Sequence, residues 1–278
     1  MPGHDSAARP NKRPFGHTFL AVKLDDTPPG AADEAAPARR SLLRAAVTGA
    51  AMTGAAMTGA VAAGSGLVLD VSPAAAAPPT GRPRPTTAPQ ALRELAAGNQ
   101  RWRTYRERHP DETPDVRQAL TSGQHPFALV LGCVDSRVPP ELVFDQGLGD
   151  LLTVRSAGEV LDEAVLGSIA YGVLELAIPL VVVLGHQSCG AVRAAVEADR
   201  SGGRLPAHIQ YLADQIAPAI DRSAQGDARV DATIDAHVRL VRSRLASEPD
   251  LAERVADGRL AIVGARYELT SQLVRRLA

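Results

Sequence analysis

Hydrophobic and polar residues follow two patterns from about residue 91 to the end of the chain. Short apolar runs predict buried strands, and the clearest is "IPLVVVLGH", a continuous run rich in β-branched residues. Between these runs, apolar residues recur every three or four positions, as in amphipathic helices. The predicted strands are 127–132, 151–158, 178–186 and 259–269, and the predicted helices are 91–102, 162–176, 189–200, about 208–221 and 231–247.

This alternation of strands and helices indicates an α/β fold. Right-handed crossovers between such elements produce a mostly parallel central sheet flanked by helices, and the first predicted helix forms an N-terminal arm. In sheets of this kind, ligands bind at the carboxyl ends of the strands. We therefore expect the functional residues directly after the apolar runs.

Residues 1–77 have a different composition. Arg39 and Arg40 precede an uncharged stretch, 45–69, which contains five Gly and three Thr and is therefore only weakly apolar. A twin-arginine pair, such a stretch and an Ala-rich cleavage region near 75–77 predict an export signal over 1–77. The alternative is a disordered Ala/Gly-rich tail. Residues 78–90 then form a Pro/Thr-rich linker, and 91–278 form the predicted catalytic domain.

The overall charge says little about partners, but it does argue against one class. The formal net charge of −1 shows no excess of basic residues of the kind that indicates nucleic-acid binding. The chain is also poor in cysteine, with two residues of this type. Their positions therefore matter more than their number.

Both cysteines fall at predicted strand ends. Cys133 follows the first strand, and "GHQSCG" places His186 at the end of the third strand and Cys189 three residues later, where a helix begins. Two thiolates and one imidazole suit tetrahedral zinc with one open position. Two other interpretations remain open: a Cys133–Cys189 disulfide in an exported protein, or two small buried hydrophobic residues with His186 bound to a carbonyl.

Asp135 and Arg137 alternate with Cys133 in "CVDSR". If the chain stays extended here, the three side chains point to the same side. The guanidinium of Arg137 can then hold the carboxylate of Asp135 in a bidentate pair beside a metal. A disulfide has no need of this pair, so it favours the zinc interpretation.

At this point the sequence resembles a known family. The segments "CVDSRVPPELVFDQGLGDLLTVRSAGEV" and "GSIAYGVLELAIPLVVVLGHQSCGAV" are similar to the two signature blocks of the β-class carbonic anhydrases, C-x-D-x-R and H-x-x-C. The resemblance implies that Cys133, His186 and Cys189 bind zinc. It also implies that Asp135 and Arg137 form a gating pair, in which Asp135 becomes the fourth zinc ligand in a closed state. Gln146 matches a glutamine that lines the substrate pocket, often across a dimer interface.

The same resemblance implies an activity and partners. The expected reaction is the reversible hydration of CO2 to bicarbonate and a proton, through attack of zinc-bound hydroxide. A homodimer or homotetramer is expected. Separately from the resemblance, the leader over 1–77 predicts that the twin-arginine translocation machinery acts during export to the cell envelope or the medium. The alternatives are hydrolysis of COS or CS2 on the same scaffold, and a non-enzymatic exported domain with the disulfide. We expect His125, His208 and His237 to lie in solvent.

Overall fold

Five strands form a single sheet in the part of the chain that the computed structural model describes, residues 83–278. The strands are β1 (Ala128–Gly132), β2 (Leu151–Arg155), β3 (Leu180–His186), β4 (Ala261–Tyr267) and β5 (Val274–Leu277). Their order across the sheet is β2-β1-β3-β4-β5. The first four strands are parallel and β5 is antiparallel to β4, so the predicted mostly parallel sheet is confirmed.

Helices flank this sheet. They are α1 (Ala88–Arg103), α2 (Pro114–Ala119), α3 (Pro140–Val143), α4 (Glu163–Leu174), α5 (Gly190–Ser201), α6 (Ala207–Ile216), α7 (Gly226–Ser247) and α8 (Pro249–Ala256), with 3-10 turns at Leu120–Ser122, Ala157–Glu159 and Ala217–Ala219. The five predicted helices correspond to α1, α4, α5, α6 and α7. Four elements were not predicted: α2, α3, α8 and β5.

The inner strands β1 and β3 are buried on both of their faces, and β3 shows how. All seven of its residues are buried. Val181 and Val183 pack with α4, α7 and α8 on one side of the sheet. Leu180, Val182 and Leu184 pack on the other side with α1 and α3. The result is a three-layer arrangement in which β3 is central, so that its last residue, His186, lies at the middle of the sheet's carboxyl edge.

Two glycines allow α7 to lie close to this edge. A Cβ atom at Gly185 would lie 2.5 Å from Cγ2 of Val238, and one at Gly264 would lie 2.9 Å from Cγ1 of the same residue. Val238 is completely buried on α7. Since Gly185 precedes His186, the helix contacts β3 directly beside the predicted metal ligand.

The predicted export signal lies outside the described residues, as do residues 78–82 of the predicted linker. The rest of the linker is described, and α1 begins within it, at Ala88. Within residues 83–278, no helix is both long enough and apolar enough to cross a membrane.

Candidate metal centre

Three potential metal ligands meet where β1 and β3 end. The sulfur atoms of Cys133 and Cys189 and a ring nitrogen of His186 all lie within 4.8 Å of one another. The side chains are shielded from solvent, with relative exposures of 4% for Cys133, 1% for Cys189 and 0% for His186. Both cysteines are free thiols. The predicted ligand set is therefore assembled as one buried cluster.

The parallel sheet explains why these residues meet. Gly132 of β1 is opposite Leu184 of β3, so Cys133, one residue further on, lies beside the end of β3. After His186 the chain reverses within three residues, with Ser188 at a φ of 57°. Cys189 is the N-cap of α5, where the helix dipole favours a thiolate.

The ring of His186 is oriented by the backbone. Its Nδ1 lies 2.9 Å from the carbonyl oxygen of Gln187, which can only accept a hydrogen bond. Nδ1 therefore carries the proton, and Nε2 keeps its lone pair for a metal. Nε2 is buried without a hydrogen-bond partner. A buried nitrogen in this condition calls for a partner, and a metal ion supplies one.

The two sulfur atoms are close enough to affect each other's protonation. Hydrogen bonding with Cys189 lowers the pKa of the Cys133 thiol, and the N–H of Gly158 acts in the same direction, while burial opposes both. The hydrogen bond with Cys133, together with burial, raises the pKa of Cys189. Cys133 is thus the sulfur that ionises first, and thiolates are the form that binds metal.

Gly158 was missed as a site residue by sequence reasoning. Its N–H lies 3.3 Å from Sγ of Cys133. Its φ of 67° suits glycine, and a Cβ there would lie 3.1 Å from Cβ of Ala191. The only signal in the sequence is the glycine of "RSAG" directly after β2.

Asp135 and Arg137 form the predicted pair, but not in the predicted conformation. The chain turns after β1 instead of staying extended, because the carboxylate of Asp135 accepts a hydrogen bond from the backbone N–H of Arg137 at 3.0 Å. Nε and Nη2 of Arg137 donate to the two carboxylate oxygens at 2.9 and 2.7 Å. This hydrogen-bonded pairing lowers the pKa of Asp135 to about 2.

The pair stands beside the ligand cluster. Oδ2 of Asp135 is 3.9 Å from Nε2 of His186. Asp135 therefore brings an ionised oxygen to the edge of the cluster, while Arg137 is half exposed and faces solvent. The carboxylate of Asp135 thus lies beside the ligand cluster, as predicted, although the chain reaches this position through a turn and not through an extended segment.

The cluster fits zinc by its donor chemistry. Zn–S distances near 2.3 Å and Zn–N distances near 2.0 Å place the ligand atoms of a tetrahedral site roughly 3.5 to 3.8 Å apart. The three donor atoms are already within 4.8 Å, so only a small side-chain adjustment is needed. Two thiolates with one neutral imidazole are also among the ligands that zinc prefers.

Gln146 does not join this cluster within one chain. It is 5% exposed, its Nε2 donates to the carbonyl of Phe144 at 2.8 Å, and its Oε1 is buried without a hydrogen-bond partner. It lines a cavity of about 370 Å³ together with Glu112, Arg117 and Glu141. None of the three candidate ligands lines that cavity.

Two further ionisable residues are buried near the site. Glu159 is 2% exposed, and burial raises its pKa well above the ordinary range, with a contribution from the charge of Cys133. The expectation that His237 lies in solvent is wrong, because it is 1% exposed and its Nε2 lies 2.8 Å from the carbonyl oxygen of Gly158. His125 and His208 are exposed, as predicted.

Comparison with known proteins places this geometry in a family. The carbonic anhydrase family model matches residues 128–274. Carbonic anhydrase 2 of Mycobacterium tuberculosis is 45% identical over 188 residues, which are 66% of this chain and 91% of the relative. The carbonic anhydrase of Mycolicibacterium smegmatis is 43% identical over 182 residues, which are 64% of this chain and 88% of the relative.

Solved structures show the same fold. The β-carbonic anhydrase CcaA matches with a TM-score of 0.55 at 23% identity, over 66% of this chain and 94% of that one. The β-carbonic anhydrase CafA of Aspergillus fumigatus matches with a TM-score of 0.55 at 25% identity, over 67% of this chain and 90% of that one. The family model, the relatives and the fold agree, and the chain belongs to the β-class carbonic anhydrase family.

Proposed function

We propose that this protein is a zinc enzyme that interconverts CO2 and bicarbonate, releasing a proton in the hydration direction. Family membership supports the reaction. The observation that carries the proposal is the buried cluster of Cys133, His186 and Cys189, with the carboxylate of Asp135 3.9 Å from His186. These three residues would hold the zinc.

Zinc, when bound, supplies a Lewis acid that makes water acidic enough to lose a proton near neutral pH, as established for carbonic anhydrases. The chain's own residues must orient that water and accept its hydrogen bond. Asp135 is suited to this because its pKa of about 2 keeps it ionised at neutral pH. An ionised carboxylate accepts hydrogen bonds and donates none, so it fixes which way the water's lone pair points.

Arg137 keeps Asp135 in this role. Its guanidinium binds both carboxylate oxygens and so keeps the side chain beside the cluster but out of the open coordination position. Without Arg137, Asp135 is close enough to the cluster to compete for the open coordination position. We propose that such a closed state, with Asp135 as fourth ligand, is the inactive form.

We also propose that the active protein is a homodimer or a larger even assembly. Gln146 lines a cavity apart from the metal cluster of its own chain, so a role in the substrate pocket requires a second copy. The structures of two fungal relatives from Sordaria macrospora are described as tetrameric. These structures share the fold with this chain at 22% identity.

Export through the twin-arginine route completes the proposal. Arg39 and Arg40 and the Ala-rich region near 75–77 support it. This route carries folded proteins, so zinc can bind before the two thiols meet an oxidising compartment in which they could pair.

The test of this function uses two matched arginine variants. Arg137 and Arg193 each pair with an aspartate, and both side chains have a relative exposure of 53%. Arg137→Ala should keep zinc and lose at least about 90% of the CO2 hydration rate, since one charged hydrogen-bonded pair is worth a factor of roughly ten. Arg193→Ala should keep both. Stopped-flow hydration with a pH indicator and zinc analysis provide the two readouts.

The outcomes separate the roles. Normal hydration by Arg137→Ala would show that the Asp135–Arg137 pair has no part in the reaction. Absence of CO2 hydration by zinc-loaded wild-type protein would reject the proposed function itself.

A further inference from the structure

Arg155 contacts the turn that carries both a zinc ligand and the carboxylate. It is the last residue of β2, and it lies opposite Gly132, the last residue of β1. Its Nε donates to the carbonyl of Cys133 at 2.8 Å, and its Nη2 donates to the carbonyl of Asp135 at 2.7 Å. A longer contact of 3.4 Å reaches the carbonyl of Val138. One guanidinium thus spans the turn from its start to its end.

Besides the Arg137 guanidinium, which binds the carboxylate of Asp135, two backbone N–H groups help to shape this turn. The N–H of Val138 donates to the carbonyl of Asp135 at 3.1 Å, and the N–H of Arg137 donates to the Asp135 side chain at 3.0 Å. The carbonyls of Cys133, Asp135 and Val138 all face the same guanidinium, and the positive charge there offsets the repulsion between their dipoles. Arg155 supplies this cation from a rigid strand.

The shape of the guanidinium matters as much as its charge. Arginine presents several N–H donors in a fixed planar fork, whereas lysine presents a compact ammonium on a flexible stem. Nε and Nη2 of Arg155 contact carbonyls two residues apart. Lysine at this position keeps the charge but loses the fixed spacing of the two donors.

We propose that Arg155 is a positioning residue for the zinc site. By fixing the carbonyls of Cys133 and Asp135, it holds the thiolate towards His186 and Cys189 and keeps the carboxylate beside the metal position. Arg155 acts through the turn and does not touch the substrate. This role rests on the proposed function. It makes Arg155 a further functional residue, in addition to the three zinc ligands and the Asp135–Arg137 pair.

The test compares Arg155→Lys with Arg242→Lys in the full chain. Arg242 is a matched control, because its Nε also donates to a backbone carbonyl, that of Ile262, at 3.2 Å. The first readout is the rate of zinc transfer to a chromophoric chelator. The second is the visible spectrum of the Co²⁺-substituted protein, which reports ligand geometry. The third is kcat and KM for CO2, with thermal unfolding as the measure of fold.

Arg155→Lys should release zinc at least about tenfold faster and lower kcat at least about tenfold, since each hydrogen bond to a charged group is worth roughly that factor. KM should stay close to that of the wild type, and the Co²⁺ spectrum should change. Arg242→Lys should match the wild type in all three. A purely structural role for Arg155 would lower the unfolding temperature without moving zinc release or the spectrum.

A second variant tests the same claim by rescue. Arg155→Ala should recover slow zinc release when millimolar guanidinium is added, and methylammonium should not replace it. Zinc release and a Co²⁺ spectrum that are unchanged in Arg155→Lys would overturn the proposal. Wild-type protein that holds zinc tightly without hydrating CO2 would reject the proposed activity, while zinc release from the variants would still decide the role of Arg155.

Discussion

Acid should destabilise this fold through His237, a buried histidine on α7. The residue is 1% exposed, and its Nε2 faces the carbonyl of Gly158, so Nε2 carries the proton of the neutral ring. Its Nδ1 is buried without a hydrogen-bond partner. Protonation of Nδ1 would create a buried charge with no acceptor, and the charge of Arg244 opposes it further. Burial is the main reason that the pKa of His237 is lowered to about 4.

The size of the effect follows from the two pKa values. In the unfolded chain the imidazole has its ordinary pKa of 6.5, whereas in the fold the value is about 4. Below pH 6.5 the unfolded state binds a proton that the folded state does not, so stability is complete above pH 6.5 and falls as the pH drops. The loss amounts to about 2 kcal/mol at pH 5 and approaches about 3 kcal/mol below pH 4.

The assay is urea unfolding of the wild type, His237→Gln and His208→Gln from pH 7.5 down to pH 4.5. A glutamine amide can still donate to Gly158 but cannot gain a proton. Between pH 7.5 and pH 5, the free energy of unfolding of the wild type should therefore fall by about 2 kcal/mol more than that of His237→Gln. His208 is exposed, so His208→Gln should run parallel to the wild type. A constant difference between His237→Gln and the wild type would refute the reasoning.

Two further predictions concern packing and export. Gly185→Ala should lower the free energy of unfolding by about 1–3 kcal/mol, because the new methyl group overlaps Val238, whereas Gly167→Ala, with open space around its Cβ position, should be neutral or stabilising by about 0.5–1 kcal/mol in urea unfolding. Equal destabilisation by both changes would contradict the packing argument. Replacing Arg39 and Arg40 by Lys should keep the protein inside the cell in a fractionation assay, and unchanged export would reject the twin-arginine signal.

The strands and the ligand cluster could be predicted because local sequence determines them. The continuous apolar, β-branched run in "IPLVVVLGH" predicts a buried parallel strand, and ligand residues at the ends of such strands meet at one edge of the sheet. The proximity of Cys133, His186 and Cys189 follows from that rule, whereas their role as zinc ligands was implied by the family resemblance. The short strand β5 escaped prediction because "VRRL" has no apolar run and pairs only when β4 is already in place.

The sequence-based predictions failed where tertiary contacts or a local hydrogen bond determine the conformation or the burial of a residue. The conformation after Cys133 depends on the Asp135 carboxylate, which captures the backbone N–H of Arg137 and turns the chain. His237 was placed in solvent although Ile234 and Val241, at helical spacing on either side, are both buried. That spacing was the available signal. The contact between Gly158 and Cys133 joins residues 25 apart and has no comparable signal in the sequence.

The most direct test of the zinc site is X-ray absorption at the zinc edge on protein purified without chelator, with the metal quantified in the same sample. The predicted result is about one zinc per chain with two sulfur ligands and one imidazole nitrogen from the protein, and loss of that zinc in Cys189→Ser, since a hydroxyl is a poor ligand in a thiolate set. Metal-free protein with a Cys133–Cys189 disulfide would contradict the account.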